Sequence, residues 1–532
     1  MGARQLCGMV AVGLCLLMNP YGLLEQHTRA EAAPAPLAGG PAGLPGGQCP
    51  KRGGNLIIGQ SGEPTSINPH RFGDQNARNI IIAIFSTLVE HDLQTYAIRP
   101  SLAQSWSVSR DGLDWTFKLR ANVKFHDGSD FDAEAAKASL ERSMEPASGR
   151  TAPLLTRVKS LEAKDALTFV IHLSQPDRIL LSTLLDVYMG PAGVTTERLG
   201  EAPMGTGPFK FVRWDRNRQV VLERHTNYWR QGLPCLDRLT FRTIPEESVR
   251  SQQLRSGQIH LSSSGLLGEM STLASAGLVL HAPPRGFNLG LYNIHTNTRR
   301  EPWRRQEVRQ ALSLALDREA IGRALFGFVQ VLSNPMEANK RFFNPQAASY
   351  NKRDLDQARQ LLAAAGFSGG VDGGEAIVCG LGFQFNIFGQ LVQSQAAEAG
   401  IRLRLTILDV GTYVARTLGG RRGEYDIAVC AMVPKPDEYD LLNHPYAKLF
   451  TQTLGWIDQR REFYDLLDAA RSMPGDSAYR QAITELQRIA MEGQAEIIAG
   501  GRLDPTPARA YVKNFIPHTQ GNVFLEAVWL DR

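Results

Sequence analysis

Residues 376–430 read AIVCGLGFQFNIFGQLVQSQAAEAGIRLRLTILDVGTYVARTLGGRRGEYDIAVC, and this stretch indicates the class of fold. Three short apolar runs at 376–380, 401–408 and 425–430 alternate with two segments of helical spacing at 387–399 and 412–418. Gly400 follows the first helical segment, where a glycine often ends a helix. Because helical crossovers join parallel strands, the pattern predicts a β-α-β-α-β unit with a parallel sheet.

The sequence around this unit predicts two different lobes. Helical spacing continues at 308–316, 355–365, 460–472 and 478–491, and Asp354 and Gly366 are typical residues for the two ends of the second of these helices. Before residue 290 the chain is richer in strands, which we expect at the following places: 55–59, a hairpin turning at 110–112, 168–173, 219–223 and 238–244. One helix is expected there at 132–144, and a final strand at 523–530. A chain of 532 residues is also too long for one core, since single cores stop growing near about 250 to 300 residues.

The N-terminus has the features of an export signal. Arg4 precedes an apolar run from Leu6 to Met18, and Ala30-Glu31-Ala32 fits a cleavage site, so residues 1–32 are interpreted as a signal peptide. The alternative is an ordinary amphipathic helix. The run is shorter than the roughly 20 residues that span a bilayer. Residues 33–52 are mostly Ala, Pro and Gly and predict a flexible leader.

The cysteines also favour an exported protein. Cys7 and Cys15 lie in the signal, and each follows a leucine where a lipoprotein signal has a small residue, so no lipid anchor is expected. The mature chain keeps the even set Cys49, Cys235, Cys379 and Cys430. Disulfides persist in exported proteins, so the cysteines favour a soluble, exported mature chain with at least one disulfide. We expect this chain to be a monomer in the periplasm.

Charge and motifs exclude several classes of function. The 58 Lys and Arg against 53 Asp and Glu give a small surplus without basic blocks, so no nucleic-acid partner is expected. The sequence lacks a nucleophile elbow, a zinc-protease motif, a P-loop and a dinucleotide fingerprint. No enzyme activity, cofactor or metal site is therefore predicted. From chemistry alone we single out Asn293, His295 and the pair Phe383 and Phe385, although a lone His is usually a satisfied polar group and such a Phe pair is usually core.

Several segments, in order along the mature chain, resemble the bacterial extracellular solute-binding proteins of the peptide, nickel and opine type (family 5). The segments that carry the resemblance are GNLIIG at 54–59, LAQSW at 102–106, KFHDG at 124–128, MGTGPFKF at 204–211, VRQAL at 308–312 and ARQLL at 358–362. Any one of them is a weak signal, but their shared order from about residue 53 to the C-terminus is specific.

The resemblance implies an α/β fold, the two-lobed periplasmic-binding-protein type II fold. Lobe I would comprise residues 53–289, with a subdomain inserted at about 90–203, lobe II residues 290–500, and residues 501–532 would return to lobe I through the final strand. A small peptide-like or other organic ligand would bind between the lobes and be delivered to the permease subunits of an ABC transporter. The alternatives left open are a periplasmic ligand sensor, a chaperone-like binding protein and a nickel or haem receptor on the same fold.

The resemblance also places the binding site in loops at the ends of strands. The expected ligand-binding residues are Ser61, Gly62, Glu63, Asn293, His295, Phe383, Phe385, Asn386, Met432, Lys435 and Asp437. Peptide-binding members use an acidic residue in the loop matching 431–437 for the ligand's amino group, but Lys435 replaces the first Asp there and only Asp437 remains. The loop 382–386 has no Arg for a carboxylate. We therefore predict a ligand with an apolar or aromatic part and no ionic clamp on dipeptides, unless the ionic partners come from lobe I or from Arg285, Arg299 or Arg300.

Two predictions concern the cysteines. Cys49 and Cys235 each lie just ahead of a strand, and neighbouring strands would bring them within disulfide distance. Cys379 and Cys430 lie near the ends of two strands of one parallel sheet, where either a disulfide or two buried thiols would fit, with thiols as the default.

Overall fold

The computed structural model describes residues 49–148, 151–263, 265–282, 290–332, 334–338, 342–348, 350–380, 382–417, 423–432, 438–443, 455–473, 475–518 and 520–532. The predicted signal peptide, and the leader up to residue 48, lie outside these residues. No helix among the described residues is both long and apolar enough to cross a bilayer.

The described residues form the following strands and helices. The strands are β1 (Asn55–Gln60), β2 (Val89–His91), β3 (Ile98–Pro100), β4 (Ala103–Val108), β5 (Asp114–Leu119), β6 (Val158–Asp165), β7 (Thr168–Leu173), β8 (Phe209–Asp215), β9 (Gln219–Arg224), β10 (Arg238–Thr243), β11 (Leu261–Ser262), β12 (Val279–His281), β13 (Gly290–Thr296), β14 (Val329–Gln330), β15 (Val371–Cys379), β16 (Ile401–Leu408), β17 (Ile427–Met432), β18 (Glu496–Arg502), β19 (Thr506–Ala508), β20 (Val512–Lys513) and β21 (Trp529–Leu530). The α-helices are α1 (Gln75–Ile84), α2 (Ala133–Met144), α3 (Leu180–Leu184), α4 (Thr196–Glu201), α5 (Glu247–Ser256), α6 (Met270–Ser275), α7 (Gln306–Ala315), α8 (Arg318–Ala324), α9 (Leu355–Ala364), α10 (Phe383–Ala399), α11 (Val410–Thr417), α12 (Glu438–Asn443), α13 (Trp456–Gln459), α14 (Arg461–Ala470) and α15 (Asp476–Gly493).

Two large sheets form the centres of two lobes. The sheet of lobe I has the order β12-β19-β11-β1-β10-β9-β8, with β1 parallel to β10 and β11. The sheet of lobe II has the order β14-β18-β13-β17-β15-β16, with β15 parallel to both β16 and β17. The predicted α/β class and the predicted β-α-β-α-β unit are therefore confirmed. A separate four-stranded sheet, β4-β5-β7-β6, packs with α2 around its own apolar core and forms an inserted subdomain.

Local capping residues explain several of the element boundaries that the sequence predicted. The Asp132 side chain accepts a hydrogen bond from the Ala135 amide at 2.9 Å at the start of α2, and Asp354 does the same for Gln357 at the start of α9. Gly400 ends α10 with φ of 100°, a left-handed conformation that other residues rarely adopt.

Two expected boundaries were wrong. The final strand is only Trp529–Leu530, and it pairs with β20 in a two-stranded hairpin and not with the lobe I sheet. The chain rejoins that sheet earlier, through β19, which pairs with β11 and β12. Helix α10 begins at Phe383, four residues before the predicted start, because Phe385 packs into the core of lobe II from its first turn.

The predicted disulfide between Cys49 and Cys235 is present, with the two Cα atoms 5.4 Å apart. It links the end of the leader to the segment before β10, which lies beside β1 as expected. Cys379 and Cys430 are buried thiols, so the second pair follows the default expectation.

Thiol labelling of the denatured, unreduced mature protein should modify Cys379 and Cys430 and leave Cys49 and Cys235 unmodified. Unfolding exposes the buried thiols to the reagent but does not break the disulfide. Peptide mapping by mass spectrometry identifies the labelled residues, and the reduced protein, labelled at all four positions, is the control. Labelling of Cys49 without reductant would contradict the disulfide, and failure to label Cys379 and Cys430 would show that they are joined.

Candidate ligand-binding cleft

The segments that follow the carboxyl ends of β15 in lobe II and β11 in lobe I touch each other between the lobes. Helix α10 begins directly after the carboxyl end of β15, and Gly268 follows the carboxyl end of β11 in lobe I. A Cβ atom placed on Gly268 would lie 3.0 Å from Cε1 of Phe383, so these two segments are in contact. Open α/β sheets bind their ligands outside the carboxyl ends of strands, and this position is therefore the candidate site.

Phe383 forms the contact between the lobes. Its ring lies 5.8 Å from the half-exposed ring of Phe326 and packs against a lobe I cluster that includes Leu266 and Met270. An aromatic side chain that bridges the two lobes beside the strand ends can cover a ligand when the lobes close.

Phe385 has a different position from Phe383, although the two were predicted as a pair. It is 2% exposed and packs inside lobe II, 5.9 Å from the ring of Tyr292. The reason is the early start of α10, since residues two apart on a helix point to nearly opposite sides. Asn386 is half-buried on the same turn, and its Oδ1 has no hydrogen-bond partner among the described residues.

The loop after β1 holds the predicted residues Ser61, Gly62 and Glu63. Ser61 is exposed, and Gly62 lies beside the amide of Asn76 at the start of α1. Glu63 Oε2 accepts a hydrogen bond from the Asn217 amide at 2.7 Å, which ties the loop to the turn between β8 and β9. The loop therefore lies at the lobe I side of the strand ends, on a fixed support.

Asn293 and His295 belong to a buried polar cluster in the sheet of lobe II. His295 Nδ1 pairs with the Glu496 carboxylate, and the Asn293 amide contacts both His295 Nε2, at 3.0 Å, and Glu496. Glu496 is 1% exposed. Burial lowers the pKa of His295, but the Glu496 carboxylate outweighs burial and raises that pKa above its ordinary value.

This cluster lies below the cleft and not beside Phe383. His295 pairs with Ala428 of β17, four residues before the strand ends at Met432. At about 3.3 Å per residue, that distance is roughly 13 Å. Glu496 had no role in the sequence analysis, although an acidic residue at the start of an apolar strand was a visible signal. Across the described residues, no three His, Cys, Asp or Glu side chains gather as a metal site would require.

The remaining expected residues are on the loop after β17. Met432 is the last residue of that strand and pairs with Leu291 beside the hinge, the place where the chain passes between the lobes at the start of β13 and the end of β18. Lys435 and Asp437 lie outside the described residues, as does Arg285. Cys430 sits on the same strand, and its hydrogen bond with Cys379, together with burial, raises the pKa of its thiol.

A charged pair at the hinge was missed by the sequence analysis. Arg502 ends β18, opposite Gly290 at the start of β13, and its guanidinium pairs with Asp504. The guanidinium carbon lies 5.8 Å from the ring centroid of Tyr292 and 5.7 Å from that of Phe385. Burial raises the pKa of Tyr292, while the nearby Arg502 cation acts in the opposite direction. No short motif marks this pair, because its surroundings come from segments far apart in the chain.

A second contact between the lobes involves the inserted subdomain. Asp177, between β7 and α3, forms two hydrogen bonds of 2.8 and 2.6 Å with Arg471 at the end of α14 in lobe II. Arg178 pairs with Asp476 at 2.6 Å and lies 4.3 Å from the ring of Tyr479. The lobes are thus joined by two separate contacts, one aromatic and one made of ion pairs.

A separate pocket lies between lobe I, the inserted subdomain and the C-terminal segment. Its atom-free space, including its open mouth, is about 1160 Å³. Arg230 bridges Glu90 and Glu526 in its wall, and the Tyr228 hydroxyl donates a hydrogen bond to Glu526 at 2.6 Å. Because each of these charges already has a partner in the wall, we interpret the pocket as a structural junction and place the ligand site in the cleft.

A comparison with protein families gives a match over residues 97–448 to the model described as bacterial extracellular solute-binding proteins, family 5 Middle. Among curated proteins, the glutathione-binding protein GsiB of Pectobacterium atrosepticum is 29% identical over 390 residues, which cover 69% of this chain and 71% of the relative. GsiB of Escherichia coli K12 is 27% identical over 387 residues, covering 69% and 72%.

Solved structures share the fold over most of the chain. The binding protein AgaA from A. tumefacien R10, in complex with agropinic acid, is 26% identical with a TM-score of 0.75, covering 90% of this chain and 99% of that structure. The substrate-binding protein CtaP from Listeria monocytogenes has a TM-score of 0.79 at 23% identity, covering 91% and 100%, and supports the fold alone.

Proposed function

Because this chain belongs to the family 5 bacterial extracellular solute-binding proteins, we propose that it is a receptor that encloses a small organic solute between its two lobes and delivers it to the permease of an ABC importer. The identification made from the sequence motifs is confirmed by this membership. The family consists of binding proteins, and turnover of the solute is not part of the proposal.

The observation that carries the proposal is the contact between the two lobes at Phe383. The carboxyl end of β15 in lobe II and the segment after β11 in lobe I are in direct contact there, beside the ends of the parallel strands. A solute bound at this position would be covered from both sides. Ligand contacts made with both lobes at once stabilise the closed arrangement over the open one.

The proposed ligand is a small peptide-like solute. GsiB is a glutathione-binding protein, and the AgaA structure contains agropinic acid. The wall that α10 offers is aromatic at Phe383 and polar at Asn386, a combination that suits a compact organic molecule with both apolar and hydrogen-bonding parts. The predicted residues Ser61, Gly62 and Glu63 of lobe I, with Lys435 and Asp437 of lobe II, would complete the site.

We further propose that the protein acts in the periplasm as a monomer after removal of residues 1–32. The apolar run 6–18 and the small residues before position 33 support export and cleavage of the chain. The disulfide between Cys49 and Cys235 supports an oxidising compartment.

Native mass spectrometry combined with small-angle X-ray scattering tests the receptor function. We expect purified protein to carry a solute of a few hundred daltons, because buried ligands in closed clefts dissociate slowly. Removing it by unfolding and refolding should increase the radius of gyration, and adding it back should reverse the change. A protein that carries no solute, and whose scattering is unchanged by glutathione, peptides or opines, would contradict the proposal.

A further inference from the structure

Arg502 and Asp504 lie where the chain passes between the lobes. Arg502 ends β18 in register with Gly290, the first residue of β13, so the chain enters lobe II and leaves it again at the same place. Asp504 follows two residues later, just before β19 joins the sheet of lobe I. The pair therefore sits at the base of the cleft, within reach of both lobes.

The pair leaves one donor and one acceptor without partners. Arg502 Nη2 is paired with Asp504 Oδ2, but Arg502 Nε and Asp504 Oδ1 are both buried and have no hydrogen-bond partner among the described residues. A buried polar atom without a partner is costly, and native structures nearly always satisfy such atoms or use them. An N–H donor and a carboxylate acceptor stand next to each other here.

We propose that this hinge pair binds the α-amino-acid head group of the ligand, with the ligand carboxylate on Arg502 and its ammonium group on Asp504. The inference rests on the proposed function, since it names the class of solute that the same cleft takes. A carboxylate alone would add a net negative charge beside Asp504 in a largely buried place. A zwitterionic head group keeps the site neutral and gives each unsatisfied atom an opposite partner.

The surroundings of Arg502 suit this role. Arginine donates charge-assisted hydrogen bonds to carboxylates, and Nε of Arg502 is the N–H donor of this guanidinium that has no partner among the described residues. The ring centroids of Tyr292 and Phe385 lie 5.8 and 5.7 Å from the guanidinium carbon, within the range of a cation–π contact. Gln330, which pairs with Gly501 next to Arg502 in the sheet, has a buried Oε1 that is also without a partner among the described residues.

Titration calorimetry with matched probes tests the inference. The probes are glutathione, γ-glutamylleucine and free phenylalanine, each unmodified and with its α-amino group acetylated. At least one unmodified probe should bind the wild-type protein, and acetylation should weaken it about a hundredfold. Arg502→Gln should weaken the unmodified probe by about a hundredfold or more, and Asp504→Asn should weaken the unmodified probe but not the acetylated one.

The exposed pair Arg404 and Asp372, 3.3 Å apart on β16 and β15 of the same lobe, supplies the matched controls. Arg404→Gln and Asp372→Asn should leave binding unchanged, and Arg502→Lys, which keeps the charge without the planar fork, should recover part of the affinity. Thermal unfolding curves check that each variant is folded.

Three results would overturn the inference: no unmodified probe binds, acetylation has no effect, or Arg502→Gln binds as the wild type does. A co-purified solute that lacks the head group would also refute it and would leave the receptor function intact. Failure of the lobes to close on any solute would instead contradict the proposed function.

Discussion

Acidification from pH 7.5 to pH 4.5 should lower the free energy of unfolding by about 5 kcal/mol through two buried histidines alone. His70 and His126 are both buried, and burial lowers the pKa of each from its ordinary value of 6.5 to about 3. In the unfolded chain both side chains bind a proton near pH 6.5. Protons therefore favour the unfolded chain throughout the interval between the two values.

The environment of His70 explains why it stays neutral when folded. Its Nδ1 lies 3.0 Å from the Ser143 hydroxyl, and its Nε2 accepts a hydrogen bond from Nε of Arg142. A second proton on the ring would have to displace this hydrogen bond and face the Arg142 cation. Burial is the larger cause of the lowered pKa, and the charges of Arg142 and Arg71 add to it.

The direction of the pH dependence follows from these pKa values. The pKa of each histidine is lower in the folded protein than in the unfolded chain. The contribution of each neutral histidine to the free energy of unfolding is therefore complete above pH 6.5 and is lost as the pH falls toward 3. At pH 4.5 each residue has lost about 2 to 3 kcal/mol. His295, whose pKa is raised by Glu496, has the opposite dependence, since its contribution is complete below pH 6.5.

Urea unfolding at pH 7.5, 6.5, 5.5 and 4.5 measures the effect. His70→Gln keeps one donor and one acceptor but does not titrate. Between pH 7.5 and 4.5 the free energy of unfolding of this variant should therefore fall by about 2 to 3 kcal/mol less than that of the wild type. His172→Gln, at a partly exposed histidine paired with Asp114, is the matched control and should leave the slope below pH 6.5 nearly unchanged. An equal unfolding free energy at pH 7.5 and 4.5 would show that the folded histidines titrate normally.

The elements that the sequence predicted well are those whose signals are local. Asp132 and Asp354 start helices that the sequence places almost to the residue, and Gly400 ends α10 where expected. The pairing of Cys49 with Cys235 also followed from local features, since each lies ahead of a strand and those strands are neighbours.

The candidate site was predicted less well because its parts depend on tertiary packing. Phe383 and Phe385 looked equivalent in a loop, and the early start of α10 sends one toward lobe I and the other into the core. Arg502 and Asp504 carry no motif, and their role depends on Tyr292 and Phe385, which are distant in sequence. The loops after the strands therefore gave no sign of this pair.

Asp177→Asn should shift the protein toward an open arrangement of its lobes and weaken binding of its co-purified solute by about a hundredfold or more. Asp177 and Arg471 are 2% and 11% exposed and bridge the inserted subdomain and lobe II through two hydrogen bonds. Removing the carboxylate takes two charge-assisted hydrogen bonds from the buried Arg471 cation, and breaking a buried ion pair costs about 3 to 5 kcal/mol. When the lobes open, water solvates that cation, so the open arrangement becomes more stable relative to the closed one. Part of the binding free energy of the ligand then goes into closing the lobes, which lowers the affinity.

Small-angle scattering of the ligand-free protein, and calorimetry with the solute that native mass spectrometry identifies, measure the two effects. Asp476→Asn is the matched control, because its partner Arg178 belongs to the same contact but Asp476 is 60% exposed. An exposed ion pair contributes about 0 to 1 kcal/mol, so this variant should bind within a few fold of the wild type. Equal losses in the two variants, or no loss in Asp177→Asn, would mean that the buried pair does not control closure. A larger radius of gyration in Asp177→Asn but not in Asp476→Asn would show that the buried ion pair holds the inserted subdomain and lobe II together in the closed receptor.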